Sequence, residues 1–251
     1  DSRRVALRKL LAIPDTLPPY TTREVDRIET DFNVVQRYLI ETEPGMSVPV
    51  LCARPVGELH GVALHFHEYG ADTDWRQPEG RVASLLDVGW AVVSVDPRGV
   101  GASESRVDSE RVYHDRFGTE QHTVWTWQML DRPLIGQRVL DVLQTACWIR
   151  DRADFHGLPL GAIGIGAGGI LAMLSAAIDS RIDRVTTLGT LYAYERVLDG
   201  DDSEWPVSAL VPEILAWGDM PRVAELIAPR PVTLVAPTDE YRRPASAEAV
   251  R

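Results

Sequence analysis

The stretch "LGAIGIGAGGILAMLSAA", Leu160 to Ala177, decides how the chain reads. Leu160–Ile165 is an apolar run of strand length, and Ile170–Ala177 is apolar nearly all round. Between them lies a cluster of glycines, so the order is buried strand, tight turn, buried central helix. Gly164-Ile165-Gly166-Ala167-Gly168 fits the frame Gly-x-nucleophile-x-Gly, a turn that presents its middle residue above the free N–H groups of a helix start. The middle residue is Gly166, and a frame shifted by one puts Ala167 there. Neither has a hydroxyl, thiol or carboxylate. Gly164, Gly166 and Gly169 also match the Gly-x-Gly-x-x-Gly spacing of dinucleotide sites. Against that reading, the turn follows two earlier apolar strands, and no acidic residue ends a strand about 20 residues on. No cofactor is expected.

Outward from this turn, "GVALHF", "WAVVSVD", "RVTTLG" and "RPVTLVAP" are further short apolar strands separated by helical patterns. Apolar strands alternating with helices indicate a parallel sheet covered on both faces. In "LIGQRVLDVLQTACWIRD", Val139, Val142, Leu143, Ala146 and Cys147 make one apolar stripe, with Arg138, Asp141 and Gln144 off it. Cys147 is therefore expected to be a buried thiol. From Glu24 to Arg54 the pattern is β, with two runs around Pro44-Gly45 that read as an antiparallel hairpin. Ser2–Ile13 reads as a short amphipathic helix closed by Pro14, Pro18 and Pro19, so residues 1–23 form a helical lead-in. The whole, residues 1–251, is expected to be a single α/β domain with a mostly parallel twisted sheet.

Composition narrows the function classes. The chain has 251 residues, 45% of them hydrophobic, which is globular composition. A net charge of −11, from 26 basic and 37 acidic side chains, argues against a nucleic-acid partner. No apolar run reaches the length of a membrane span, so no membrane partner is expected. Two cysteines, Cys52 and Cys147, are too few for a disulfide framework. No signal peptide is evident, and the start at Asp1 suits a mature, trimmed or excised form, which leaves localisation open. His65 and His67 share a strand face and could pair on a metal, but a third ligand at suitable spacing is missing nearby, so no metal is expected.

Three further stretches carry a resemblance. "GVALHFHEYGADT" is a strand ending in His67-Glu68-Tyr69-Gly70, "GWAVVSVDPRGVGAS" one ending in Asp96 before Arg98, and "APRPVTLVAPTDEYRRP" one ending in Asp239. In this order and spacing the chain, from about Glu24 to Ala245, resembles the α/β-hydrolase superfamily, and within it the acetyl xylan esterase and cephalosporin C deacetylase group. The resemblance implies an α/β-hydrolase fold with a further strand and helix beyond Arg251. It places a vacant nucleophile position at Gly166, the acid of a catalytic triad at Asp239, and oxyanion-hole N–H groups at Tyr69 and Ala167. His67 and Glu68 would line the pocket. Glu68 stands where that group has glycine, and its carboxylate would oppose an oxyanion unless it points away. The triad histidine would follow Asp239, yet all six histidines precede it. Residues 191–222 would lie over the cleft as a cap, with Asp199, Asp201, Asp202 and Glu204 making an acidic approach.

Three functions follow as expectations. The first is an ester hydrolase, weak or inactive for want of a nucleophile. The second is a non-catalytic binding or scaffolding module for a small-molecule or carbohydrate ester ligand, compatible with an oligomer or a larger parent chain. The third is different chemistry in the same cleft through His67, Glu68, Asp96 and Asp239. Against it, Asp96 and Arg98 also read as structural groups closing a turn, and Asp239 as a loop cap. Tyr69 and Trp75 read as pocket lining, and Trp125, Trp127 and Trp205 either as core or as aromatic walls for a sugar or acyl group.

Overall fold

The structure is a computed structural model that describes residues 2–77, 79–104, 112–199 and 202–246. Its strands are β1 (Thr21–Glu29), β2 (Asn33–Glu43), β3 (Met46–Pro55), β4 (Gly61–His67), β5 (Trp90–Val95), β6 (Leu160–Ile165), β7 (Arg184–Leu188) and β8 (Val232–Val235). The helices are α1 (Ser2–Leu10), α2 (Asp72–Trp75), α3 (Arg81–Asp87), α4 (Val112–Gln128, broken at Gly118), α5 (Leu134–Asp151), α6 (Ala167–Ile178), α7 (Glu195–Asp199), α8 (Ile214–Trp217) and α9 (Asp219–Ile227). The strands form one eight-stranded sheet in the order β1-β2-β3-β5-β4-β6-β7-β8. The first three are antiparallel, and the five from β5 to β8 run parallel.

Pairing in register, Glu43 with Met46, closes the expected hairpin over Pro44-Gly45. Gly45 sits at φ 79°, the left-handed region that favours glycine. The antiparallel part is larger than a hairpin: β1 adds a third strand. All nine of its residues are exposed, with no period-two apolar face to betray it. Backbone pairing to β2 defines it, with Thr21 donating to Glu41 and Glu24 accepting from Gln36 and Tyr38. The helical lead-in is accordingly shorter than 1–23. The helix ends at Leu10, Ala12 turns left-handed at φ 52°, and strand begins at Thr21.

α6 is the central helix, buried from Gly168 to Ile178 and packed on β4, β6 and β7. α1, α5 and α9 pack against it. This face of the sheet, with Val62, Leu64, Phe66, Val93 and Val95, joins the main apolar core. The opposite face carries Ala63, His65 and Ser94 and is covered by α2 and α3. Coverage on that side is uneven among the described residues. Ile163, Ile165, Thr186 and Leu188 are half-buried and Val235 is exposed, so β6–β8 are not buried on both faces as their apolar runs suggested. No strand or helix follows β8 among the described residues.

α5 departs from its expected amphipathic reading. Arg138, Asp141 and Gln144, placed off the apolar stripe, are buried as deeply as the stripe itself. Burial of such groups requires partners, and they have them. Asp141 accepts a bidentate pair from Arg98 at 2.9 and 2.6 Å, the Arg98 N–H at 3.0 Å and the Thr42 hydroxyl at 2.6 Å. Gln144 donates to the carbonyls of Pro18 and Thr42. The helix is thus tied on its polar side to the turn after β5 and to the β2–β3 hairpin. Cys147 is half-buried, not buried, with its Sγ 3.1 Å from Arg181 Nη1. Cys52 is the fully buried thiol.

Candidate functional site

The turn between β6 and α6 has the backbone of an elbow. Gly166 lies at φ 58°, ψ −126°, a conformation side-chain-bearing residues rarely hold. The neighbouring glycines let helix and strand meet: a Cβ on Gly164 would strike the Gly168 backbone, and one on Gly168 would lie 2.6 Å from the Phe66 carbonyl oxygen. α6 therefore starts with the Ala167 N–H aimed at the space above Gly166, as a helix-start anion site requires.

That space is filled by the protein itself. A Cβ on Gly166 would fall 2.5 and 2.6 Å from the two oxygens of Glu68. Glu68 Oε2 accepts the Ala167 N–H at 3.3 Å. Arg242 clamps the carboxylate from the other side, with Nη1 donating to Oε1 at 2.8 Å and Nη2 to Oε2 at 2.9 Å. Glu68 does not point away from this turn; its carboxylate lies against Gly166 and the Ala167 N–H. The Arg242 guanidinium lies 4.6 Å from the Trp205 ring centroid, and its Nε donates to the Glu204 carbonyl at 3.2 Å. Donating to the Glu68 carboxylate raises the Arg242 pKa further, so the guanidinium stays charged.

The second expected oxyanion donor is also engaged. Tyr69 N–H donates to His67 Nδ1 at 3.2 Å. His67 is buried, and that burial pushes its pKa below the ordinary value; with Nδ1 accepting the Tyr69 N–H, the neutral ring carries its proton on Nε2. The Tyr69 side chain itself is exposed at the cleft mouth.

The remaining residues separate by role. Asp96 accepts the N–H groups of Ala71 at 2.7 Å and Ala102 at 2.8 Å and closes its turn. Asp239 Oδ1 accepts the N–H groups of Tyr241 and Arg243, both at 2.9 Å, and so caps its own loop. His65 and His67 share a face, but His65 has both ring nitrogens engaged, Nε2 with Asp74 at 2.8 Å and Nδ1 with Ser94 at 2.9 Å. Among the described residues no group of three or more His, Cys, Asp or Glu is arranged to hold a metal ion. No helix of the described residues is long and apolar enough to cross a membrane.

Above the elbow lies a cavity of about 500 Å³ between Glu68, Tyr69, Ala167, Trp205 and Arg242, with Glu104, Glu120 and Glu204 on its rim. Arg138 forms part of its floor; burial pushes its pKa down to about 10. It donates to the carbonyls of Arg98 and Gly99 and to Ser208 Oγ. Of the aromatic candidates, Trp205 walls this cavity and donates Nε1–H to the Asp239 carbonyl at 2.8 Å. Trp75 donates to Ser94, and Trp127 lies between Arg98 and Arg132. The expected cap, residues 191–222, holds α7, α8 and the start of α9. Of its acidic approach, Glu204 reaches the cavity; Asp201 and the side chain of Asp199 lie outside the described residues. Reasoning from sequence missed Arg242. Its signal was the charge of "EYRR" so soon after Asp239, with a carboxylate at Glu68 in need of a partner.

No family model matches the sequence. The chain is 24% identical over 246 residues to "Putative hydrolase YtaP" of Bacillus subtilis (strain 168), covering 91% of this chain and 77% of that protein. It is similar to the crystal structure of a "putative acetyl xylan esterase" from Bacteroides fragilis, with a TM-score of 0.77 and 13% identity over 94% of this chain. The chain spans 66% of that structure's length. Acetyl Xylan Esterase 1 from Thermoanaerobacterium sp. is similar with a TM-score of 0.59 and 16% identity, covering 99% of this chain and 89% of that one. The likeness is one of fold: the chain has the α/β-hydrolase fold.

Proposed function

We propose that this domain is a catalytically silent relative of the acetyl-esterase-like α/β-hydrolases that keeps its cleft for binding. The observation that carries the reading is the Glu68 carboxylate standing in the place of a nucleophile side chain. Three requirements of acyl transfer are affected at once. The nucleophile position, Gly166, has no reactive group. The Ala167 N–H faces a resident negative charge, and the Tyr69 N–H serves His67. In a serine triad, loss of the nucleophile alone lowers turnover about a million-fold. The third reading, different chemistry through His67, Glu68, Asp96 and Asp239, has less support. Asp96 and Asp239 are occupied by backbone N–H groups, and both oxygens of Glu68 are held by Arg242, which withdraws the electron density a nucleophile needs.

The cavity of about 500 Å³ favours a retained binding role and suits a small hydroxylated molecule or a carbohydrate ester, the class named for the similar esterase structures. The test is hydrolysis of p-nitrophenyl acetate by the full chain and by its Glu68→Gln variant, with labelling by a serine-directed phosphonate. The expected result is a rate at the buffer blank for both and no label. Turnover by the unaltered chain that Glu68→Gln abolishes would overturn the reading in favour of carboxylate chemistry.

A further inference from the structure

Arg242 is fixed independently of Glu68. Its guanidinium stacks on Trp205, its Nε is spent on the Glu204 carbonyl, and its backbone is held at φ 57° in a loop capped by Asp239. The Ala167 N–H is equally fixed, as the first residue of a buried helix. A rigid guanidinium fork opposite a helix-start N–H is a receptor for one carboxylate, bound bidentately on one side and by the amide on the other. The structure shows a carboxylate in that receptor, supplied from the end of β4.

We propose that the elbow is a carboxylate-binding site, that Glu68 is its tethered resident, and that a small carboxylate ligand enters by exchange with Glu68. The exchange leaves the charge held by Arg242 and Ala167 unchanged and adds the displaced Glu68 carboxylate to the cavity. The incoming carboxylate makes the bonds to Arg242 and Ala167 that Glu68 gives up, and Glu68 moves into the open cavity beside it. Since like replaces like, the head group confers no net preference on the unaltered protein. Glu68 also competes at an effective concentration of at least the order of mM, as a tethered group does. Selectivity must therefore come from the body of the ligand in the cavity. Glu104, Glu120 and Glu204 at the rim favour a body that is neutral and hydroxylated, or cationic. Asp239, the position of a triad acid, becomes a positioning residue for Arg242.

The inference rests on the reading of the elbow as silent, but its test reads equilibrium binding and not turnover, so the two fail separately. Acetate is titrated calorimetrically into the unaltered full chain, Glu68→Ala, and Glu68→Ala with Arg242→Ala. The expected result is one acetate per Glu68→Ala chain, with a Kd at least tenfold lower than for the unaltered protein and a return to the unaltered value in the double variant. Acetamide, which has the shape without the charge, should not bind. No gain of acetate affinity in Glu68→Ala, or a gain that survives loss of Arg242, would overturn the proposal. Should Glu68→Ala fail to fold, Glu68→Gln carries the same test, since it keeps the packing and removes the charge. Acetate must then bind it more tightly than the unaltered chain.

Discussion

At the residue scale, the site is decided by two side-chain positions. Position 166 is a glycine at φ 58°, and the Glu68 carboxylate lies in the space above it. The two are complementary, because a side chain on Gly166 would collide with the Glu68 carboxylate. Arg242 then makes the buried negative charge tolerable, since an unpaired carboxylate against a helix of apolar residues would be costly. The same logic applies to Asp141, whose side chain is fully buried against an Arg98 side chain only 5% exposed. Removing one partner of such a pair strands the other charge, at a cost of about 3–5 kcal/mol. Asp141→Ala is expected to lower the urea-unfolding free energy by about that amount. A loss below about 1 kcal/mol would show that Glu43 and solvent suffice for Arg98.

At the scale of elements, what holds the cleft is a set of short polar anchors. The end of β4 with the loop after it carries His67, Glu68 and Tyr69 and is tied down by α2, whose Asp74 bonds His65 at 2.8 Å and Arg81 at 2.6 and 3.1 Å. Burial alone would raise the Asp74 pKa, but the hydrogen bonds from His65 and Arg81 outweigh it and hold the carboxyl at about 2. Its ordinary value is 3.8, so the folded state binds the proton less tightly than the unfolded chain. The stabilisation is complete above roughly pH 4 and is lost as pH falls toward about 2. Urea unfolding of the unaltered chain and of Asp74→Asn should accordingly differ most at pH values above 4 and converge as pH falls through about 2. A gap that stays constant with pH would remove Asp74 from this role. α5 is the other anchor. A helix buried on every side would be expected to be apolar throughout, yet its polar side stays buried because the turn after β5 and the hairpin bring it partners.

At the scale of the whole molecule, stability is graded across the sheet. β6 and α6 sit at the centre, buried, while β1 is an edge strand with every residue exposed. Exchange of amide hydrogens should follow that gradient, since edge strands open locally and core elements exchange only through global unfolding. Hydrogen–deuterium exchange of the full chain is expected to label residues 21–29 well before residues 160–178. Equal protection of both segments would contradict a graded sheet. The β6–α6 turn lies at the protected end of this gradient, so the Ala167 N–H is held rigidly, whereas Glu68 reaches it from the loop after β4.

The sequence by itself determined the parallel strands, the central helix α6 and the glycine turn before it at Gly166. Each depends on local pattern, such as an apolar run of a given length, a glycine at a turn, or a residue type at a fixed offset. The β pattern was legible from Glu24, but β1 as a separate third strand starting at Thr21 was not, because its exposed residues carry no alternating apolar face and its pairing to β2 defines it. The buried polar side of α5 was not legible either, because periodicity reports on a side chain's polarity and not on the partners that reach it from elsewhere. Glu68 and Arg242 lie 174 positions apart, and whether Glu68 pointed into the elbow or away was open until the fold brought Arg242 against it. Only the tertiary structure decided that the elbow is filled. The reason is physical: where a flexible carboxylate rests depends on which cation and which N–H the fold places within hydrogen-bonding reach, and no local pattern encodes that.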